Sequence, residues 1–262
     1  MGWSYPLYAG LGLFVLMSLM WIWQKKSRNA AIVDVAWSAS LGFVAMGYAF
    51  WSEGAEWRRW LLGTVVSLWA FRLAWHLYKD RIQGQVEEGR YQQMRKEWGE
   101  HFQKKIYYFY QAQAGLNVIL SLPFLFIASN PNPNVGWIEV VALVIFIIAI
   151  IGESIADKQL KKFKSNPANK GLVCQSGLWK YSRHPNYFFE WSIWLSFGLL
   201  SVAAGGIGIL GLIAPILMLH FIINVTGIPL TEAQALRSRG EAYQKYQKST
   251  SAFVPWFTKE AV

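Results

Sequence analysis

Apolar residues run along this 262-residue chain in long blocks separated by short polar loops. Seven blocks approach the roughly 20 apolar residues that a membrane-crossing helix needs. They are residues 5–24, 32–51, 60–78, 106–128, 137–156, 186–204 and 206–228. The last two form one continuous apolar run. Ala203-Ala204-Gly205-Gly206 predicts the reversal that folds this run into a hairpin, because glycine accepts a tight turn. Beyond Pro229 the pattern changes: Glu241–Lys248 alternates polar residues with tyrosines, and Phe253-Val254-Pro255-Trp256-Phe257 is an apolar plug. The tail, 229–262, reads as a short amphipathic segment that docks on a membrane surface or covers a site on the inner side. No internal repeat or low-complexity tract divides the chain, so residues 1–262 read as one domain. The expected fold class is all-α, an integral membrane bundle of about seven transmembrane helices.

Composition supports the pattern. The chain is 54% hydrophobic and only 15% charged, against about 25% charged in soluble domains. A net charge of +10 resembles a nucleic-acid signal, but the basic residues lie in loops between apolar blocks. They therefore speak for membrane orientation and phosphate binding, with no nucleic-acid partner. Of the 25 Lys and Arg, 22 fall on one side, from Lys25 in the first loop to Lys259 in the tail; the other side holds Arg58 and Arg59, and Arg72 lies within the third block. The positive-inside rule makes the rich side cytoplasmic, with the N-terminus outside and the C-terminus inside. The first apolar block has no basic segment before it, so a cleaved signal peptide is not expected. Cys174 is the single cysteine, which excludes an intramolecular disulfide and a cysteine-only metal site.

Chemistry concentrates in Gly177-Leu178-Trp179-Lys180-Tyr181-Ser182-Arg183-His184-Pro185-Asn186-Tyr187-Phe188-Phe189-Glu190. Pro185 suits the first turn of a helix, which places Arg183 and His184 just before its N-terminus. Asn186 and Glu190, four apart, share one face of that helix. A helix N-terminus preceded by Lys180 and Arg183 is a natural seat for phosphate. A basic, aromatic membrane anchor explains the cations and rings. It does not explain why Asn186 and Glu190 continue into an apolar block, where unpaired polar groups are costly.

Glu153 and Asp157 stand four apart at the C-terminal end of the fifth block, where two carboxylates oppose the helix dipole. Arg183, Lys158 or a ligand hydroxyl would compensate them; no His-rich ligand set surrounds them, so no metal is expected. Arg72 has His76 one turn on; it is either a functional charge or an arginine that snorkels to the interface. Asp34 opens the second block, as a carboxylate favouring the helix dipole or as a partner for Arg72. Gly89-Arg90-Tyr91 reads as solvated loop, and His220 as a packing residue.

Taken together, these residues resemble the steroid 5-alpha-reductase-like membrane proteins, and more narrowly their bacterial, DUF1295-like branch. The likeness rests on the signature from Gly177 to Glu190, and on Asp34, Trp37, Arg72, Arg90-Tyr91, Gln111, Asp157, Gln159, Phe163, Tyr243, Tyr246, Phe253 and Pro255. The Arg-His-Pro-x-Tyr core is also similar in NADPH-using sterol reductases and in methyltransferases that use S-adenosylmethionine. The resemblance implies a seven-helix bundle in a bacterial inner membrane with NADPH held at its cytoplasmic side. Asp157, Asn186 and Glu190 match the dinucleotide contacts, and Lys170, Arg183, His184 and Tyr187 suit phosphate and ribose.

The implied function is reduction of a carbon–carbon double bond in a lipophilic, enone- or steroid-like substrate. One departure stands out. The reductases polarise the substrate with a glutamate and a tyrosine, and here Asp34 and Trp69 stand near those places. Indole offers only an N–H and supplies no proton at neutral pH. Asp34 and Arg72 are the catalytic candidates, and the proton donor stays open. Two alternatives remain: an S-adenosylmethionine-dependent methyltransferase on the same scaffold, and a non-catalytic lipid-binding membrane protein. The expected partners are a lipophilic small molecule and membrane lipid.

Overall fold

All seven apolar stretches are helical in the computed structural model, which describes residues 4–258. In chain order the α-helices are α1 (Ser4–Ser27), α2 (Ile32–Trp51), α3 (Glu56–Arg81), α4 (Gly89–Trp98), α5 (Phe102–Leu120), α6 (Leu122–Ala128), α7 (Trp137–Ser165), α8 (Pro185–Val202), α9 (Ile213–His220) and α10 (Ile228–Ser249). Short 3-10 turns lie between them, and a π-helix, Phe221–Val225, follows α9. Among the described residues, five helical stretches are long and apolar enough to cross a membrane: Ser4–Ser27, Ile32–Trp51, Gly89–Ala128, Trp137–Ser165 and Gly206–Ser249. The third and fifth have polar ends. Arg90, Arg95 and Lys96 lie on α4; Glu232, Arg237, Arg239 and Lys245 lie on α10. The two remaining predicted blocks form α3 and α8, which carry more polar groups, Arg72 and His76 on one and Asn186 and Glu190 on the other.

The chain forms two compact units. One runs to Asn134 and takes in Ala204–Leu210; the other comprises Val135–Ala203 and the chain from Gly211. In the first, α2 packs closely along α3, and α1 packs on α2 and α5. Glycine makes the α2–α3 approach possible: a Cβ on Gly42 would sit 3.1 Å from Ala70 Cβ, and one on Gly63 would sit 3.2 Å from Ala49 Cβ. Buried Asn117 stitches α5 to α2, donating to the Trp37 carbonyl at 3.0 Å and Ser40 Oγ at 2.8 Å. The predicted 106–128 helix breaks at Ser121, where Pro123 opens α6 and the Ser121 hydroxyl meets Tyr48 Oη at 3.1 Å. Arg58 closes the far loop, donating to the carbonyls of Asn132 and Asn134 at 2.7 and 2.6 Å.

In the second unit α7 packs against α8, and α8 against α9. The contact is tightest at Gly152, where a Cβ would come within 2.5 Å of the Phe189 ring. After α8 the chain leaves this unit at Ala203, and the predicted turn is present there, with Gly205 and Gly206 in the left-handed region (φ 69° and 48°). The tail corrects the expectation of a short amphipathic segment. It forms the 22-residue α10, kinked at Gly240, and then an extended stretch. Lys259, counted in the tail's basic charge, lies outside the described residues.

Candidate cofactor site

The signature stretch lies against the C-terminal part of α7. Gln159 Oε1 accepts from the Leu178 N–H at 2.9 Å, and the Trp179 indole donates to the Ala156 carbonyl at 2.9 Å. Gly177 is required there. Its φ is +60°, and a Cβ would come within 2.3 Å of the Gln159 amide. The next residues, Trp179 to Arg183, are gripped from the other side by the tail. Tyr246 Oη donates to the carbonyls of Trp179 and Ser182, the latter at 3.1 Å. Ser182 Oγ donates to the Phe253 carbonyl at 2.8 Å, the Arg183 N–H to Ser251 O at 2.8 Å, and the Trp256 N–H to Tyr181 O at 2.9 Å. Phe253, from the predicted apolar plug, packs its ring against Phe188 and Trp191.

Arg183 does not compensate Glu153 or Asp157. Its Nε lies 2.6 Å from Glu232 Oε1 in the first turns of α10, and its Nη1 donates to the carbonyls of Gln247 and Thr250. His184 is buried, stacks flat on Tyr187 at 5.2 Å between ring centres, and places Nε2 3.3 Å from the same Glu232 oxygen. A carboxylate only accepts, so Nε2 carries the proton. Tyr187 Oη meets Thr231 Oγ1 at 3.0 Å, and Gln247 Nε2 donates to Glu232 Oε2 at 2.8 Å. Burial pushes the Glu232 carboxyl up, but hydrogen bonds from His184, Arg183 and Gln247, with the Arg183 charge, hold it down at about 2. Nearby Tyr243 moves the other way: burial, then the Glu232 charge, push its phenol up to about 12.

The structure brings Asp157 and Asn186 together. Asn186 Nδ2 lies 3.4 Å from Asp157 Oδ1, at the first turn of α8 beside the last turns of α7. Asn186 Oδ1 is buried and accepts no hydrogen bond. Glu190, one turn along α8, accepts from the Trp194 indole at 3.0 Å. Lys170 is exposed on the loop after the 3-10 turn Pro167–Asn169. Cys174 is buried, with its Sγ 3.9 Å from Ser176 Oγ.

A family model described as "Protein of unknown function (DUF1295)" matches residues 20–250. The chain belongs to the DUF1295 family. Among curated relatives, an uncharacterized protein of Schizosaccharomyces pombe is 25% identical over 226 residues, covering 76% of this chain and 65% of that protein. A protein named probable O-methyltransferase ustE, from Ustilaginoidea virens, is 39% identical over 78 residues, covering 30% of this chain and 24% of that one. The chain thus spans less than two thirds of the length of either relative. No solved structure matches.

The first unit of this DUF1295 protein holds the other candidates. Asp34 does not take Arg72 as its partner. Its Oδ2 lies 2.5 Å from Arg81 and 3.0 Å from Arg90, and its Oδ1 accepts from Tyr91 Oη at 2.8 Å. Gly89-Arg90-Tyr91, expected as loop, opens α4 and carries two of those partners inward. Glu88 joins Arg81 at 2.9 Å, while Glu87 binds Arg95 and caps the Ala30 N–H at 2.8 Å. Both Asp34 oxygens are therefore occupied by groups that tie α2, α3 and α4 together. Arg72 lies in the interior of α3, and Trp69 beside it is fully buried.

The sequence reading missed Glu232, Thr231 and Gln247. A signal existed: Arg183 and His184 beside a helix N-terminus need a counter-charge, and Glu232 follows the polar break at Pro229.

Proposed function

We propose that this DUF1295 protein is an integral membrane oxidoreductase that uses NADPH to reduce a carbon–carbon double bond of a lipophilic, enone-like substrate. The observation that carries the reading is the Asp157–Asn186 pair with its unpartnered Asn186 Oδ1. A buried acceptor without a donor is costly. A carboxamide N–H such as that of nicotinamide supplies the missing donor, so these residues fit the cofactor. NADPH supplies the hydride for such a reduction, and the protein supplies orientation and a dry setting.

Each residue then has a limited task. Asn186 accepts from the carboxamide, while Asp157 and Glu190 take hydroxyl or amide groups. The phosphates fall to the exposed lysines of the same segment, Lys158, Lys170 and Lys180. Arg183, held by Glu232, sets the shape of the loop, and His184 and Tyr187 brace it. As the double bond is reduced, negative charge grows on the substrate carbonyl oxygen. A hydrogen-bond donor facing that oxygen stabilises the charge. The basic loops make this end cytoplasmic, in a bacterial inner membrane, where reduced nucleotide is available.

A methyltransferase is the second reading. It is favoured by the similarity to the protein named probable O-methyltransferase, and by the neutralisation of Arg183, since S-adenosylmethionine carries no phosphate. An activity assay separates the two. Detergent-solubilised protein is incubated with lipophilic enones and NADPH, and in parallel with S-adenosylmethionine and hydroxylated lipids. NADPH oxidation that depends on the enone, and that falls at least roughly tenfold in Asn186→Ala, supports the reductase. Methyl transfer without NADPH oxidation replaces it with the second reading.

A further inference from the structure

His220, expected as a packing residue, is instead exposed, and so is Asn224 one turn on. Both belong to an apolar face. Ile213, Ile216, His220 and Ile223 recur at helical spacing along α9 and the π-helix after it, and all are exposed. From Ile213 to Val225 every other side chain is apolar, within a stretch long and apolar enough to cross a membrane. Two polar groups therefore face outward where hydrocarbon cannot solvate them. The backbone is unusual there too. The Thr226 N–H reaches the Phe221 carbonyl at 2.8 Å in a π-turn, a rare element found often at functional positions.

The pair leaves one donor and one acceptor open. Asn224 Nδ2 lies 3.3 Å from His220 Nδ1. An amide nitrogen only donates, so Nδ1 accepts and Nε2 carries the proton. Among the described residues, no other hydrogen bond reaches the His220 Nε2–H or Asn224 Oδ1. The amide leans back to its own imidazole, as helical side chains lean toward the N-terminus. Donor and acceptor thus lie at one level of the helix.

We propose that this face is the contact between two copies of the chain, parallel in the membrane about a two-fold axis along its normal. The His220 Nε2–H of each copy donates to Asn224 Oδ1 of the other, and the isoleucines pack beside the crossing. A two-fold contact sets one patch against itself. A patch with one open donor and one open acceptor at the same level answers itself twice. An acyl chain covers the isoleucines but bonds neither polar group.

The test is Förster transfer between full-length copies that carry donor or acceptor dye on an added C-terminal tag. They are reconstituted in phosphatidylcholine vesicles over a range of protein-to-lipid ratios. Wild type should show transfer that saturates as the ratio rises. His220→Leu and Asn224→Leu, each alone, should move the midpoint roughly tenfold to higher ratio. The decisive arm mixes the two variants, donor dye on one and acceptor on the other. That pair keeps one of the two bonds, so it should associate more tightly than either variant with itself. Two misfolded variants would not recover on mixing. Wild-type transfer no greater than random proximity gives overturns the proposal. So does a midpoint indifferent to both substitutions, which places the contact elsewhere, or a mixture no tighter than its parents.

Discussion

Arg183 Nε and Glu232 Oε1 lie 2.6 Å apart, joining the signature loop to the start of α10 across 49 residues of sequence. The side chains are only 10% and 15% exposed. This pair, rather than a free cation, is what the arginine of the signature contributes. It fixes the loop that leads into α8 and so sets the position of Asn186.

Glu232→Gln keeps the shape of the acceptor and removes its charge. Arg183 is then left in a poorly solvated place with neutral partners. Losing one member of a largely buried pair costs about 3–5 kcal/mol, and partial exposure reduces that here to about 2 kcal/mol. Thermal unfolding in detergent should show a lowered midpoint. A second change, Arg183→Met, should recover part of the loss in the Glu232→Gln background, because it removes the stranded charge.

The same carboxylate predicts a pH dependence. Its folded-state pKa of about 2 lies below the ordinary 4.5. For a depressed carboxylate the stabilisation is fully present above the unfolded value and is lost as pH falls toward the folded one. Between about pH 4.5 and pH 2 the wild type should lose stability relative to Glu232→Gln, and the two unfolding midpoints should converge. Parallel curves across that window would show that the pair contributes nothing.

Asp34 is expected to act on stability. Asp34→Asn weakens contacts to Arg81 and Arg90 and alters the acceptor facing Tyr91, at a cost of about 2–4 kcal/mol. Unfolding midpoints and activity should fall together. A variant with unchanged midpoint and abolished activity would instead return Asp34 to the chemistry.

Gly152→Ala places a methyl within 2.5 Å of the Phe189 ring. Overpacking of this kind costs about 1–3 kcal/mol. The double variant Gly152→Ala/Phe189→Leu should regain part of the midpoint lost by Gly152→Ala alone, which a local helix effect at residue 152 would not allow.

Much of the fold was legible because hydrophobic periodicity and length are local. All seven apolar blocks became helices, and Pro185 and Gly205-Gly206 marked a start and a turn. The breaks within blocks were less visible. Ser121 and Pro123 interrupt what reads as one span, and the π-helix after His220 has no pattern of its own. Partnerships were less legible: pairing by consecutive helices pointed to Asp34 with Arg72, where the structure gives Asp34 to Arg81 and Arg90. The candidate pair Asp157–Asn186 was singled out by a family resemblance, since 29 residues separate the two in the chain. The partners of Asp34 did not follow from helix order, because α4 looked like a polar loop. Nothing in the periodicity of α10 announces that Glu232 faces Arg183. Such long-range ion pairs depend on how helices pack, which the spacing of apolar residues constrains weakly.

Calorimetric titration of the purified protein with NADPH and with S-adenosylmethionine, repeated on Asn186→Leu, tests the central claim most directly. Saturable NADPH binding is predicted, weakened about tenfold in Asn186→Leu while its unfolding midpoint holds. Binding of S-adenosylmethionine alone, or NADPH binding indifferent to Asn186 in a folded variant, would contradict the account.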